Sequence, residues 1–217
     1  EITCRDWSSD VCSSDLVVAD NLLTEKQALF AFDLSGHGRS EGERGNISRF
    51  MQFVENLEDA VDFIAQRYTS RGLILSAESM GALVAMHYLL RNNQKEHLLF
   101  EKLLLWSPAF RPNLTEGWAK DWQYMLNLGM GLVYQRSIPT IEVDHSKTFS
   151  DPNALTYHMM DPLILKKISA QYLLKISTAM DRLWQNAVQI PKVLPICIFH
   201  AQHDFLEIGR ASCRERV

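Results

Sequence analysis

Residues 72–81 read GLILSAESMG, and this stretch decides the fold because it joins two buried elements of different period without a loop. Its first part, Gly72 to Ser76, is a short apolar run that is typical of a buried strand. Its second part leads into Met80 to Leu90 (MGALVAMHYLL), which is apolar on nearly every face and predicts a buried helix. The sequence therefore predicts a sharp strand-to-helix turn at Ser79.

A serine at such a turn can act as a nucleophile, because the tight backbone holds its side chain above the sheet edge, where a base can reach it. The turn requires small residues two positions before and after the serine, and these positions hold Ala77 and Gly81. The backbone N–H of Met80 opens the helix and is placed to donate to an oxyanion. The alternative is a serine that only caps an ordinary helix. The strand before Ser79 and the buried helix after it favour the nucleophile.

Strand-like and helix-like stretches alternate on both sides of this turn. Three further apolar runs, at 28–32, 103–106 and 194–199, predict strands. Apolar residues at i, i+3, i+4 and i+7 spacing predict an amphipathic helix over 50–64. Between about 112 and 191 the strand pattern gives way to helical periods, which indicates an inserted helical cap. This order predicts an α/β fold with a mostly parallel sheet and helices on both faces.

Asp33, Gly36, Gly38 and Ser40 stand in DLSGHGRS (33–40), which resembles the D-x-x-G-x-G-x-S segment of α/β-hydrolases. The similar branch is that of the monoacylglycerol lipases, lysophospholipases and serine aminopeptidases. The resemblance continues through four later segments: SAESMG (76–81), WSP (106–108), DPL (161–163) and AQHD (201–204). It implies an α/β-hydrolase fold in which these four loop residues shape the backbone beside the site and carry no chemistry.

The resemblance also implies a hydrolase of acyl esters that works through an acyl-serine. Ser79 would be the nucleophile, and Asp204, which closely follows the last strand, would orient a catalytic histidine. The alternative for Asp204 is a carboxylate that caps the next turn. The histidine would follow Asp204, yet all seven histidines precede it. A catalytic histidine is thus absent from the chain, and we expect the chain to hydrolyse esters poorly.

The apolar stripes of the predicted cap favour a lipid-like ester as substrate, such as a monoacylglycerol or a lysophospholipid. The same stripes also fit ordinary packing of the cap on the core. Serine aminopeptidase and thioesterase activities stay open, because a fold does not choose among them. A further alternative is a non-catalytic domain that binds acyl ligands or partners without turnover.

Composition narrows the class of protein. A chain of 217 residues with 47% hydrophobic and 22% charged residues fits a soluble globular domain. No apolar run reaches the roughly 18 residues of a membrane span, so membrane contact would be peripheral, through the cap. The net charge of −4 gives no reason to expect nucleic acid as a partner. The absence of a histidine and cysteine cluster argues against a metal site, and no cofactor is predicted.

The two ends, residues 1–16 and 207–217, resemble translated sequencing adapters and are expected to be non-native tails without packed structure. The hydrolase domain would then occupy residues 17–206 and be incomplete at both ends. Without the tails, Cys197 is the only cysteine, and its apolar run predicts a buried thiol. A single cysteine allows a reducing compartment, so a cytoplasmic or peripheral membrane location is favoured.

Overall fold

A computed structural model describes six stretches of the chain: residues 28–68, 72–93, 99–110, 140–142, 151–192 and 194–200. In chain order the elements are α1 (Met51–Arg67), β1 (Leu73–Glu78), α2 (Met80–Arg91), β2 (Phe100–Trp106), β3 (Thr140–Glu142), α3 (Pro152–Met160), β4 (Lys167–Ser169), α4 (Ala170–Asn186), a 3-10 turn (Ala187–Gln189) and β5 (Ile196–Phe199). The predicted tails lie outside the described residues, and so does Asp204.

Three parallel strands form the main sheet, in the order β1–β2–β5. Ala77 of β1 lies opposite Leu105 of β2, and Trp106 of β2 lies opposite Phe199 of β5. Because the strands are parallel, their carboxyl ends meet at one edge, which is where Ser79 follows β1. The predicted parallel sheet and the strand-to-helix turn at Ser79 are confirmed.

The predicted strand at residues 28–32 is wrong, because the structure assigns no strand to residues 28–34. Phe32 and Leu34 instead pack, partly buried, against the hydrophobic core. An apolar run signals burial, and residues 29–34 are partly buried outside any assigned strand. The periodicity of so short a run could not separate the two outcomes.

The core lies between the sheet and helices α1, α2 and α4. One face of helix α1 packs against the core, and its buried residues are Phe53, Val54, Leu57 and Val61. Helix α2 is buried at every position from 82 to 89, as its apolar sequence predicts. Burial on all sides fixes the axis of α2, and with it the first turn that follows Ser79.

The stretch predicted to be a purely helical cap also contains strands. β3 and β4 form an antiparallel pair in which Ile141 lies opposite Ile168. Strands of three residues are too short to leave a period in the sequence, so helical patterns on either side concealed them. Helix α4 buries Leu173, Ile176 and Leu183 in the same core as α2. The last helix before β5 therefore packs with the sheet domain.

Cys197 is exposed, which corrects the prediction of a buried thiol. It lies on β5, where three of the four residues are exposed. In the described part of the chain β5 pairs with β2, at one end of the strand order. An apolar sequence at the end of a sheet is not enough to bury a side chain.

A buried histidine links α2 to α4 and makes the stability of the fold depend on pH. His87 Nε2 donates to the carbonyl of Ala179 at 2.9 Å. Burial lowers the pKa of His87 below its ordinary 6.5 more than this bond raises it. As the pH falls, the unfolded chain therefore takes up the proton first, and stability present above pH 6.5 is lost as the pH falls toward the folded pKa.

We expect His87→Gln to flatten the fall in unfolding free energy between pH 7.5 and 5, because glutamine keeps an N–H for Ala179 but does not titrate. Urea unfolding followed by circular dichroism at several pH values measures this slope. Burial lowers the pKa of His37 as well, so part of the slope should remain. A slope that His87→Gln leaves unchanged would contradict the assignment.

Candidate active site

Ser79 occupies a strained backbone conformation between β1 and α2. Its φ of 48° and ψ of −116° lie in a region that residues with a side chain rarely adopt. Such strain costs about 1–3 kcal/mol and persists only where the surroundings fix it. The side chain of Ser79 is exposed and makes no capping bond to α2. The simple helix-cap interpretation of this serine is therefore wrong.

Backbone hydrogen bonds from neighbouring elements hold the turn. The N–H of Ser79 donates to the carbonyl of Trp106 at 2.9 Å. The carbonyl of Ser79 accepts from Ala82 at 3.1 Å and from Ala109 at 3.0 Å. These bonds anchor the peptide group on both sides of Ser79 and supply the support that its strained backbone requires.

The same bonds orient the N–H of Met80. The carbonyl of Ser79 and the N–H of Met80 belong to one planar trans peptide, so the two groups point in opposite directions. Fixing the carbonyl toward Ala82 and Ala109 therefore fixes the N–H on the other side. As the first residue of α2, Met80 has no acceptor for this N–H within its helix. The arrangement can present a rigid donor at a helix N-terminus to a developing negative charge.

A second strained serine stands at the end of the neighbouring strand. Ser107 has a φ of 38°, and its N–H donates to the carbonyl of Phe199 at 2.8 Å. The rings of Trp106 and Phe199 stack at 4.2 Å between centroids, and Trp106 Nε1 donates to Ser76 Oγ at 2.9 Å. These contacts tie the carboxyl ends of all three strands together beside Ser79. The sequence motif at 106–108 marked this place but did not predict its contacts.

The small residues that flank the turn are packed less tightly than predicted. A Cβ built on Gly81 would have Ala77 Cβ as its nearest neighbour, at 3.9 Å, which is an ordinary van der Waals contact. A methyl group therefore fits at position 81. Alanine would therefore also meet the requirement for a small residue at position 81.

The glycine-rich loop, residues 33–40, is held by its own polar groups. Asp33 accepts from the backbone N–H of Arg39 at 3.0 Å, and Ser40 Oγ donates to the carbonyl of Asp33 at 2.7 Å. Gly36 and Gly38 have φ values of 75° and 47°, where a side chain is strained. Contacts of this kind are what a backbone-shaping role requires.

Contacts with other elements fix the position of the loop. Asn56 Oδ1 on α1 accepts from both the N–H and the hydroxyl of Ser35, at 2.9 and 2.8 Å. Arg44 donates to the carbonyls of Gly38 and Leu163, which joins the loop to the turn after α3. The DLSGHGRS and DPL segments, each weak as a sequence motif, thus meet in space.

A buried polar contact connects this loop to Met80. Tyr172 Oη lies 3.0 Å from His37 Nε2 and 2.8 Å from Met80 Sδ. His37 belongs to the DLSGHGRS segment of the sequence motif, whereas sequence reasoning did not single out Tyr172. The helical period of α4 could have indicated that Tyr172 is buried, since Tyr172 lies on the same face as Leu173 and Ile176.

The structure does not place the remaining predicted members of a triad. Asp204 lies outside the described residues, so its position relative to Ser79 stays a prediction. Of the seven histidines the structure describes four: His37, His87, His158 and His200. His97, His145 and His203 lie outside the described stretches.

The described residues lack two other features, a metal-binding cluster and a membrane-spanning helix. There, no group of three or more histidine, cysteine, aspartate or glutamate side chains could hold a metal ion. Within the same stretches, no helix combines the length and apolar character that crossing a membrane requires.

A parallel sheet with a strained serine between a strand and a buried helix defines the class of the α/β-hydrolases. Solved structures agree with this fold. The monoacylglycerol lipase of Paleococcus ferrophilus superposes with a TM-score of 0.59 at 18% identity, over 78% of this chain and 72% of that one. A soluble variant of monoglyceride lipase from Saccharomyces cerevisiae, in complex with a substrate analog, gives 0.67 at 16% identity, over 81% and 59%.

Sequence comparison identifies the family. The family model described as "Serine aminopeptidase, S33" matches residues 12–214, so the chain belongs to that family. Monoglyceride lipase of Rattus norvegicus is 28% identical over 141 residues, which are 63% of this chain and 43% of that protein. The uncharacterized protein YnbC of Escherichia coli (strain K12) is 24% identical over 194 residues, 87% of this chain and 31% of that one. The chain spans less than half the length of these curated relatives.

Proposed function

We propose that the protein is a serine hydrolase that cleaves carboxylic esters through an acyl-serine intermediate. The observation that carries this proposal is the strained, exposed Ser79 beside the anchored N–H of Met80. A serine held in this way can attack a carbonyl carbon while the neighbouring N–H stabilises the resulting oxyanion. An ordinary helix cap needs neither the strain nor the anchoring.

The proposed roles follow the geometry and the family pattern. Ser79 is the nucleophile, and Met80 supplies an oxyanion donor through its backbone. Ala77 and Gly81 leave space for the turn, and the glycine-rich loop supports it. Asp204 orients the base and stabilises its positive charge. We also propose that the hydrolase domain occupies residues 17–206, with the cap within about 112–191.

A lipid-like ester is the substrate class that we favour. Monoglyceride lipases are found both among the curated relatives and among the solved structures of similar fold. Helix α3, within the proposed cap, exposes Tyr157 (69%), Met159 (41%) and Met160 (75%). Exposed apolar side chains of this kind suit contact with a lipid aggregate, so we propose that the cap touches the surface from which the ester is taken.

Two alternatives are kept because specific observations favour them. The description of the matching family favours a peptide substrate, which an aminoacyl nitroanilide would detect in the same assay as a nitrophenyl ester. The exposed apolar side chains of α3 would equally suit a domain that binds acyl groups without turnover. Binding of a fatty acid without acylation of Ser79 would support that second alternative.

The missing base gives a direct test of the nucleophile. We expect these 217 residues to react slowly with p-nitrophenyl butyrate, and imidazole in the buffer to accelerate butyrylation of Ser79 by acting as a diffusible base. A positioned base raises the reaction rate roughly a hundredfold to ten-thousandfold, and free imidazole should restore about a tenfold part of that increase. Because imidazole also assists deacylation, samples are quenched with acid at short times, and the acyl-serine is then measured by intact mass and peptide mapping.

The matched control is Ser79→Ala, which carries the same background reaction of imidazole with the ester. Equal butyrylation of the two proteins would refute Ser79 as nucleophile. Rapid turnover by the wild type without imidazole would instead contradict the absence of a base, and the seven histidines would then be replaced one at a time to find it.

A further inference from the structure

Tyr172 is the buried side chain that touches Met80 from outside the turn. Its side chain is 5% exposed, and its hydroxyl lies against both Met80 Sδ and His37 Nε2. Its ring also packs edge-on against Phe53 at 6.1 Å. The hydroxyl is thus enclosed among groups from the loop, α1 and α2.

The first turn of α4 is fixed, and this sets the position of Tyr172. Ser169 caps the helix by accepting from the N–H of Tyr172 at 3.0 Å. The hydroxyl of Ser169 donates to Asn46 Oδ1 at 2.8 Å, and its N–H donates to the carbonyl of Gly45 at 2.8 Å. Lys175 Nζ, one turn further on, donates to the carbonyl of Ile47. These bonds fix the first turn of α4 against residues 45–47, which precede α1.

The direction of the Tyr172 hydrogen bond follows from its partners. His37 Nδ1 lies 3.1 Å from the carbonyl of Ser35, which can only accept, so Nδ1 carries a proton. In neutral His37 the other nitrogen, Nε2, therefore accepts from the Tyr172 hydroxyl. Burial lowers the pKa of His37 and raises that of Tyr172, so both groups are neutral at pH 7.

We propose that Tyr172 is a positioning residue for the proposed hydrolysis, holding the Met80 side chain and thereby the Met80 N–H against the oxyanion. The inference rests on the proposed function. Methionine has three rotatable side-chain bonds, so without this contact the Met80 side chain could take several positions against the first turn of α2. With neutral His37 the Tyr172 oxygen holds the Met80 side chain by direct contact at 2.8 Å, since its proton is directed to His37, and the Ser79 carbonyl bonds hold the backbone side.

Protonation of His37 would change this contact in a predictable way. His37 Nε2 would then donate to the Tyr172 oxygen, and the Tyr172 proton would turn to Met80 Sδ. The charged groups that act on His37 are Asp33, which favours the proton, and Arg44, which opposes it. Among the described residues, Phe53 of α1 and Tyr172 of α4 also contact His37, and neither carries a charge at neutral pH. The contact between the Tyr172 hydroxyl and Met80 Sδ should therefore differ in strength above and below the pKa of His37.

The test measures imidazole-assisted butyrylation of Ser79 in the full 217-residue chain. We expect Tyr172→Phe to slow it about tenfold, a part of the roughly hundredfold that a misplaced group can cost. The control is Tyr88→Phe, which removes a hydroxyl from an equally buried tyrosine of α2 (4% exposed) and should leave the rate unchanged. The ratio of wild-type to Tyr172→Phe rates should also change with pH below 6.5. Protonation of the added imidazole affects both rates equally and therefore cancels in this ratio.

A double-mutant cycle with Met80→Leu separates positioning from general destabilisation. If Tyr172 acts through the sulfur, Tyr172→Phe should cause no further loss in the Met80→Leu background. Additive losses, or a rate ratio that is flat with pH, would overturn the inference and leave the proposed function standing. No butyrylation of Ser79 in the wild type would overturn both. Should Tyr172→Phe fail to fold, Met80→Leu alone must show the slower rate and the same pH-dependent ratio.

Discussion

Gly36→Ala is expected to lower the free energy of unfolding by about 2–5 kcal/mol. Gly36 has a φ of 75°, and a left-handed backbone costs an alanine about 1–2 kcal/mol. The added Cβ would also lie 2.5 Å from the carbonyl oxygen of Glu43, a backbone atom that cannot rotate away. Relieving such a clash costs roughly a further 1–3 kcal/mol. Urea unfolding followed by circular dichroism measures the loss.

Gly81→Ala is the matched control for this prediction. The same methyl group at position 81 has its nearest neighbour at 3.9 Å, on Ala77. Position 81 lies in the first turn of α2, where alanine is favoured over glycine by about 0.5–1 kcal/mol. The control should therefore be as stable as the wild type or slightly more stable. Similar losses at both glycines would show that the loop geometry does not have the importance given to it here.

Phe53→Ala is expected to cost about 3–5 kcal/mol, a large share of the 5–15 kcal/mol that stabilises a typical domain. Phe53 is 0% exposed, and its ring meets those of Phe50, His37 and Tyr172 at 5.5 to 6.1 Å. Its removal opens a cavity at the point where α1, α4 and the glycine-rich loop converge. Thermal and urea unfolding should both register the loss.

Phe63→Ala on the same helix provides the comparison. Phe63 is partly exposed, and the guanidinium of Arg67 lies 3.7 Å from its ring centroid. A cation–π contact of this kind contributes about 0.5–1 kcal/mol at the surface, so the loss should stay near that size. Equal destabilisation by the two substitutions would contradict the burial pattern of α1.

The turn at Ser79 could be predicted from sequence because it is local. A short apolar run that is followed at once by an all-apolar helix predicts a sharp turn between the two elements. The small residues at 77 and 81 agree with that turn. The parallel sheet followed in the same way from alternating elements.

The supports of the turn could not be predicted, because they come from residues distant in sequence. Nothing near Ala109 indicates that its N–H binds the carbonyl of Ser79, and the contact of Tyr172 with Met80 spans 92 positions. The three-residue strands β3 and β4 were missed because a period needs more residues than they have. Exposure of Cys197 depends on where its strand lies in the sheet, which composition does not record.

The hydrogen bonds around Ser79 also bear on the order in which the protein is made. The carbonyl of Trp106 and the N–H of Ala109 come from residues translated after the turn, and Ser107 is held by Phe199, which is made later still. A chain emerging from the ribosome reaches Ser79 well before any of these partners exists. The turn therefore cannot be held in its strained shape until β2 has been synthesised. The strained conformation of Ser107 likewise lacks its hydrogen-bond partner until β5 has been synthesised.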